Sequence, residues 1–173
     1  MNPATIPLWA WLFPVTYALH ILEEAHAGEG LGRWIGHVIG RQLGSRDFYL
    51  ANGLLWLAMV AAISLFRTGR PAIWLLAALG SIVTVNGIGH LVGTIMVRIY
   101  SPGLVTGVVL WVPLGLFALW RTRTVGPMGV WYSGVFSGVV LMVCVGLLAL
   151  TLSKPGVPGK QVNSGPGGNG VTQ

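Results

Sequence analysis

Charged side chains are scarce in this 173-residue chain: lysine, arginine, aspartate and glutamate together make up 8% of it, while 54% of its residues are hydrophobic. Soluble domains carry roughly 25% charged residues, so this composition excludes an ordinary water-exposed surface. The chain also has a single cysteine, Cys144, which excludes a disulfide framework and a Cys-x-x-Cys metal site. Lipid must therefore surround most of the protein.

Acidic side chains are the scarcest of all. The four acidic residues are Glu23, Glu24, Glu29 and Asp47, and none follows residue 47. Ten basic residues give the chain a net charge of +6, but they are scattered singly through loops and helix ends. This scatter does not indicate a nucleic-acid partner. It is typical of cations that anchor helix ends and contact anionic membrane lipids.

Five apolar stretches are long enough to span a hydrocarbon core of ~30 Å, which needs about 17–25 residues each. They cover residues 6–22, 48–66, 72–97, 104–120 and 130–152. We therefore predict an all-α polytopic membrane helix bundle of about five transmembrane helices, forming one domain over residues 1–152. Such a protein is a multi-pass integral membrane protein. Basic residues are nearly balanced between the two sides, so the positive-inside rule does not settle the orientation.

Two segments lie outside the predicted spans. About residues 31–43, apolar side chains repeat with a helical period, and Arg33, His37 and Arg41 lie on another face. This pattern predicts an amphipathic helix that lies in the membrane interface. Residues 153–173 are rich in glycine, proline, serine and asparagine, a composition that predicts a disordered tail.

One face of the first span is polar. On a helix that turns about 100° per residue, His20, Glu23 and Glu24 fall with Thr16 and Tyr17 in one arc of about 120°. A charged residue at mid-helix costs ~2.5–3.5 kcal/mol on membrane-insertion scales, so carboxylates near a span are functional candidates. We expect this face to contact protein or water rather than lipid.

The third span offers a matching polar face. Asn86, His90 and Thr94 follow one another at intervals of four residues, and the first and third spans run in the same direction. The two polar faces are therefore expected at similar depth. Imidazole and carboxylate groups that meet away from water favour zinc, iron or manganese. The predicted metal ligands are His20, Glu23, Glu24 and His90.

Simpler interpretations exist for each residue alone. A single histidine in a membrane helix is more often a hydrogen-bonded packing residue than a ligand, and a pair of glutamates at a helix end is often solvated. Asn86 could bond a neighbouring helix, which contributes ~0.6 kcal/mol on average. The metal hypothesis depends on the combination of two polar faces at matching depth.

The stretch from His20 to Glu24 reads His-x-x-Glu-Glu and lies at the end of the first apolar segment. It resembles the HXXEE family of small bacterial integral membrane proteins, which is named after this motif. Residues 86–90 and 100–106 are also similar to later blocks of that family, and the resemblance covers most of the chain. It implies that His20, Glu23 and Glu24 act as a unit. It implies no activity, because the family has no established function.

Our leading hypothesis is a membrane-embedded, metal-dependent enzyme that acts on a lipidic or apolar small molecule, with hydrolysis as the favoured reaction. The predicted catalytic residues are Glu23, Glu24 and Asn86. One carboxylate would serve as general base, and Asn86 would orient a ligand or the substrate. A divalent metal (zinc, iron or manganese) is the expected cofactor.

Three alternatives stay open. A proton-coupled transporter would hold a proton between Glu23 and Glu24. The small size and the absence of inverted repeats count against a carrier unless the chain forms a homo-oligomer. A metal-free membrane cyclase would use a protonated glutamate as acid, and an accessory membrane subunit would use its glycine-lined helices to bind a partner.

Overall fold

The computed structural model describes residues 6–155, and nearly all of its regular structure is helical. The helices are α1 Leu12–His26, α2 Leu31–Ile39, α3 Ser45–Leu65, α4 Gly69–Val97, α5 Leu104–Val125 and α6 Met128–Leu152. A 3-10 turn, Leu8–Trp11, leads directly into α1. Two short strands, β1 Arg41–Gln42 and β2 Lys154–Pro155, pair antiparallel. The chain is therefore an all-α helix bundle with one small β contact.

Four of these helices, α3 to α6, are long and apolar enough to cross a membrane. The shortest has 21 residues, and at about 1.5 Å per residue such a helix matches a hydrocarbon core of ~30 Å. The protein is accordingly a membrane protein. Helix α1 has 15 residues and is not among the four.

Helix α4 is the centre of the bundle, because most of its apolar window is buried against α5 and α6. Small residues let the backbones approach. A Cβ added at Gly87 would lie 2.5 Å from the carbonyl oxygen of Gly107, and one added at Gly80 would lie 3.0 Å from that of Gly115. Close approach through small residues is the usual way that helices associate in lipid, where apolar burial gives little driving force.

Helix α1 is held in the bundle by packing against the apolar core and by hydrogen bonds to α3. Phe13 is fully buried in the apolar core. The Tyr17 hydroxyl donates to Asn52 Oδ1 on α3 at 2.8 Å, and Trp56 Nε1 donates to the carbonyl oxygen of Pro14 at 2.9 Å. These contacts fix the N-terminal half of α1 against α3 and the apolar core.

Helix α2 packs on the end of α4 through one side chain. The Trp34 ring lies against Gly93, where an added Cβ would meet the ring carbons, and Trp34 Nε1 donates to the carbonyl oxygen of Ile99 at 3.3 Å. The predicted helix about 31–43 ends earlier, at Ile39. The reason is that Gly40 adopts φ +69° and the next residues form β1.

The segment predicted as a tail begins with ordered residues. Ser153 is buried, and its carbonyl oxygen accepts a hydrogen bond from Arg41 Nε at 3.1 Å. Residues 154–155 pair with β1. The remainder of the predicted tail, residues 156–173, lies outside the described residues.

The glycines of α6 provide a direct test of its packing on α4. An added Cβ at Gly138 would collide with the carbonyl oxygen of Ala78 and lie 2.9 Å from Ser81 Cβ, whereas nothing lies within 4 Å of Gly146. Gly138→Ala should lower the free energy of unfolding by about 1–3 kcal/mol, since overpacking forces the helices apart. Thermal unfolding of detergent-solubilised protein measures this.

The matched control for that test is Gly146→Ala on the same helix. It should leave stability unchanged or raise it by up to about 1 kcal/mol, because alanine favours the helix more than glycine does. Equal effects of the two substitutions would contradict the packing of α6 on α4.

Candidate metal centre

Three buried side chains converge between α1 and α4. His20, Glu24 and His90 each offer one ligand atom, and these atoms lie within 4.8 Å of one another. His20 Nε2 and His90 Nε2 are each 3.4 Å from Glu24 Oε1. The two imidazole rings meet edge to face, with their centroids 5.0 Å apart. Among the residues predicted as ligands, the structure brings these three together.

The 3.4 Å spacing indicates what the group can hold. It is longer than the 2.7–3.2 Å of a good N–H···O hydrogen bond. Two donors bound to one tetrahedral zinc ion at about 2.0–2.1 Å lie about 3.4 Å apart. The separation of each histidine nitrogen from the Glu24 oxygen therefore fits two ligands of a shared ion better than a direct hydrogen bond.

Both histidines use their other ring nitrogen for a hydrogen bond to a hydroxyl. His20 Nδ1 bonds Thr106 Oγ1 at 2.7 Å, and His90 Nδ1 bonds Ser101 Oγ at 2.8 Å. Histidines that bind metals almost always have such an outer partner, which fixes the ring and its tautomer. Both imidazoles thus present Nε2 toward Glu24.

One ring nitrogen of the group is both fully buried and without a hydrogen-bond partner among the described residues. His20 Nε2 is fully buried and makes no hydrogen bond within residues 6–155. A buried polar atom without a partner costs about 1–3 kcal/mol. A cation that bound His20 Nε2 and Glu24 Oε1 together would remove this cost.

The walls of the site come from the start of α5. The segment Gly107–Trp111 is π-helical, a geometry that often marks functional sites. Trp111 stacks on His20 with ring centroids 3.7 Å apart, and Tyr17 stacks on Trp111. Gly103, at φ +96°, lies so close that an added Cβ would be 2.8 Å from Cε1 of both histidines. Only glycine fits there.

Glu23 does not join the three-residue group. Its carboxylate faces the first turn of α5, where it accepts hydrogen bonds from the backbone N–H of Val105 at 2.9 Å and of Thr106 at 2.7 Å. The Tyr100 hydroxyl also donates to it. Neighbouring glutamates of the motif therefore have different partners.

Asn86 lies one turn before His90 on α4 and is also apart from the three donors. Together the two residues line a cavity of about 310 Å³. The other lining residues are Trp34, Val85, Gly89, Val139, Met142 and Val143. The side chains of His90 and Glu24 are each 7% exposed, against 1% for His20. The group is therefore more accessible on the side of His90.

Sequence reasoning assigned no role in the site to the residues that surround the donors. The resemblance to the family marked residues 100–106 as a block, but the contacts of Ser101 and Thr106 with the histidines depend on how the chain turns at Gly103. Trp111 carried a weak signal, since tryptophan favours membrane interfaces and this one lies inside an apolar run. Its burial against His20 explains that position.

A family model described as "Protein of unknown function with HXXEE motif" matches residues 11–118. The match spans α1 and most of α5, so it includes all three donors and Glu23, and it confirms the resemblance seen in the motif. No curated protein and no solved structure matches the chain.

The contact between Tyr100 and Glu23 predicts a pH dependence. Burial and the Glu23 carboxylate raise the pKa of Tyr100 from 10.0 to about 12. A raised pKa means that this contact stabilises the fold fully below pH 10, and that its contribution is lost as the pH rises toward about 12. The measurement is the tyrosinate absorbance as a function of pH. Subtracting the curve of Tyr100→Phe from that of wild type isolates the titration of Tyr100.

In the Glu23→Gln background the midpoint of the Tyr100 titration, measured in the same way, should fall toward the ordinary tyrosine pKa of 10.0. The reason is that the carboxylate no longer opposes ionisation of the hydroxyl. An identical midpoint in wild type and Glu23→Gln would show that the hydroxyl does not contact this carboxylate.

Proposed function

We propose that this chain, which belongs to the family of proteins of unknown function with the HXXEE motif, is a membrane-embedded, metal-dependent enzyme. It would act on a lipidic or apolar small molecule, with hydrolysis as the favoured reaction. The observation that carries the proposal is the convergence of three buried donors, His20, Glu24 and His90, at spacings that suit one ion.

The donor set suits a catalytic metal. Two imidazoles and one carboxylate favour zinc, iron or manganese, and three protein ligands leave a coordination position open. A structural site would close all four positions with protein groups. The metal would supply Lewis acidity toward a substrate oxygen or toward water. Its charge would also offset the cost of burying the Glu24 carboxylate.

Glu23 has a different part in this proposal. Its two carboxylate oxygens already accept from Val105, Thr106 and Tyr100, so we assign metal binding to the other three residues. A general base must reach the proton that it takes. Glu23, which faces these three hydrogen-bond donors, is not placed for that role, and Glu24 is assigned to the metal.

The cavity beside His90 supports an apolar substrate. Val139, Met142 and Val143 of α6 form one wall, and α6 is the most apolar of the four membrane-crossing helices. The Asn86 amide makes no hydrogen bond within residues 6–155 and is available to a ligand there. These features suit a molecule with an apolar chain and one polar oxygen, which Asn86 would orient toward His90.

The membrane arrangement completes the proposal. The turn Leu8–Trp11 and α1 run on without a break, and we propose that together they form a fifth, partly inserted span. Helix α2 would lie in the interface, with Arg33 and His37 toward lipid headgroups. The membrane would be that of a bacterial cell.

Proton chemistry is the second candidate, and one observation favours it. Glu24 lies 3.4 Å from two imidazoles that can carry charge, so the same group could store a proton without metal. In this second proposal Glu24 and the two histidines hold the proton, whereas the sequence analysis placed it between Glu23 and Glu24. The proposal applies to both the proton-coupled transporter and the metal-free cyclase.

Metal content tests the leading proposal. Detergent-purified wild type, incubated with zinc, iron or manganese and then desalted, should retain about one ion per chain. His20→Ala, His90→Ala and Glu24→Gln should each lose it, because two remaining donors bind weakly. Elemental mass spectrometry measures the ion.

The chain offers matched controls for these variants. His37 and Glu29 form a 2.7 Å pair outside the candidate centre, and His37 is 44% exposed. His37→Ala and Glu29→Gln should retain the metal. Folded wild type that holds no ion would reject the metalloenzyme and favour proton chemistry. Loss of the ion in His37→Ala would place the site elsewhere.

Substitution of Asn86 separates substrate binding from metal binding. Metal-loaded Asn86→Leu should keep its ion. Its kcat/KM toward long-chain aryl esters should fall roughly fivefold to tenfold, which is the effect expected from the loss of one hydrogen bond to the substrate. Assays on short-chain and long-chain esters in detergent measure this. Metal-loaded wild type that cleaves none of these esters would contradict hydrolysis of this class.

A further inference from the structure

Helices α4 and α6 touch along part of their length and then separate. An added Cβ at Gly138 of α6 would collide with the carbonyl oxygen of Ala78 on α4, so the backbones are in contact there. Farther along both helices, a Cβ added at Gly89 of α4 or at Gly146 of α6 would meet nothing within 4 Å beyond its chain neighbours and its own helix backbone. The cavity of about 310 Å³ beside His90 lies in this second part, as a crevice between the two helices.

This crevice lies within the membrane and is open toward lipid. Most of its lining residues belong to α4 and α6, two of the helices long and apolar enough to cross the membrane. His90 is about 10 Å from the end of α4, at about 1.5 Å per residue. Val85 and Val143, on its two sides, are 41% and 57% exposed. Exposed side chains at this depth contact hydrocarbon, so a ligand can enter sideways from the bilayer.

The Trp34 ring closes the crevice at the end nearer α2. It lines the cavity and is 8% exposed. The ring lies against Gly93 of α4, and its Nε1 donates to the carbonyl oxygen of Ile99 at 3.3 Å. Entry past this ring is therefore blocked, which leaves the lipid side.

The two walls of the crevice differ in chemistry. The α6 wall is apolar and consists of Val139, Met142 and Val143. The α4 wall carries the Asn86 amide and the His90 imidazole. Ligand pockets span about 300–1,000 Å³, so a cavity of this size takes one hydrocarbon chain rather than the two of a phospholipid. A single chain with one polar group therefore matches the crevice.

We propose that the crevice binds the acyl chain of a monoacyl ester lipid that enters from the bilayer, and that Gly89 keeps the crevice open for it. The ester oxygens would lie beside Asn86 and His90, next to the Glu24 carboxylate. Cleavage of that ester rests on the function proposed above, whereas binding of the chain needs no metal. Gly89 is a specificity-determining residue, because a side chain there would occupy the space of the acyl chain.

Two substitutions to leucine form a matched pair. Gly89→Leu places an apolar side chain in the crevice, and Gly146→Leu places the same side chain on α6, where nothing lies within 4 Å. Neither should lower the Tm, because leucine favours a helix more than glycine does and neither glycine is packed against another helix. Gly89→Ala fills less of the crevice and should give an intermediate result.

Photolabelling of metal-free protein in lipid nanodiscs measures binding without any reaction. The probe is a long-chain monoacylglycerol with a diazirine in its acyl chain, and peptide mass spectrometry locates the label. In wild type the Val139–Val143 segment should be labelled, and excess unlabelled monoacylglycerol should abolish this labelling. Gly89→Leu should reduce it about tenfold, because overpacking an occupied space weakens binding by that order. Gly146→Leu should be labelled like wild type.

Labelling that excess monoacylglycerol does not reduce, or that is equal in Gly89→Leu and Gly146→Leu, would be ordinary contact with bulk lipid and would overturn the inference. Labelling that falls as the number of chains per nanodisc rises would show that a second copy covers the crevice, and would overturn it too. Metal retention is measured on the same proteins. An ion retained without saturable labelling rejects the lipid site alone, whereas saturable labelling without a retained ion rejects the metalloenzyme alone.

Discussion

The placement of the Glu24 carboxylate between two imidazoles is the constraint on which the rest of the site depends. A carboxylate removed from water needs a proton, a hydrogen-bonded partner or a cation, since its charged form is otherwise very costly. His20 and His90 supply the partners, yet each stands at 3.4 Å, too far for a good hydrogen bond. The three groups are therefore close enough to bind one ion together.

The helix packing serves this arrangement. His20 comes from α1 and His90 from α4, so their approach requires both helices to lie close to the start of α5. Gly87 and Gly107 allow α4 and α5 to touch backbone to backbone, and Gly103 leaves room for both imidazole rings. A side chain at Gly87 or Gly107 would push α4 and α5 apart, and one at Gly103 would collide with both imidazole rings. The glycines of this region therefore define the site as much as its donors do.

Much of this could be predicted from the sequence, for physical reasons. Long apolar runs identify membrane helices well, because every backbone group in lipid must be bonded within its own helix. Four predicted spans correspond to α3–α6 within a few residues. The structure of the first predicted span, residues 6–22, was harder to predict. A polar face interrupts its apolar run, and a 3-10 turn precedes its α-helix.

The surroundings of the donors could not be predicted in the same way. Helical periodicity places His20 and Glu24 on one face of α1, but it says nothing about a loop. Ser101 and Thr106 reach the histidines because Gly103, at φ +96°, turns the chain back toward α1. Such contacts between distant residues depend on backbone conformation, which composition and period do not specify.

The motif itself gains a physical explanation from this geometry. His20 and Glu24 are four residues apart, so they lie on one face of α1, and that face meets His90. Glu23 lies about 100° away around the helix, where it meets the first turn of α5. One turn of helix thus presents a pair of donors to α4 and a capping carboxylate to α5. The two glutamates of the His-x-x-Glu-Glu sequence have different partners. Glu24 faces the two imidazoles, and Glu23 accepts hydrogen bonds from the backbone N–H groups in the first turn of α5.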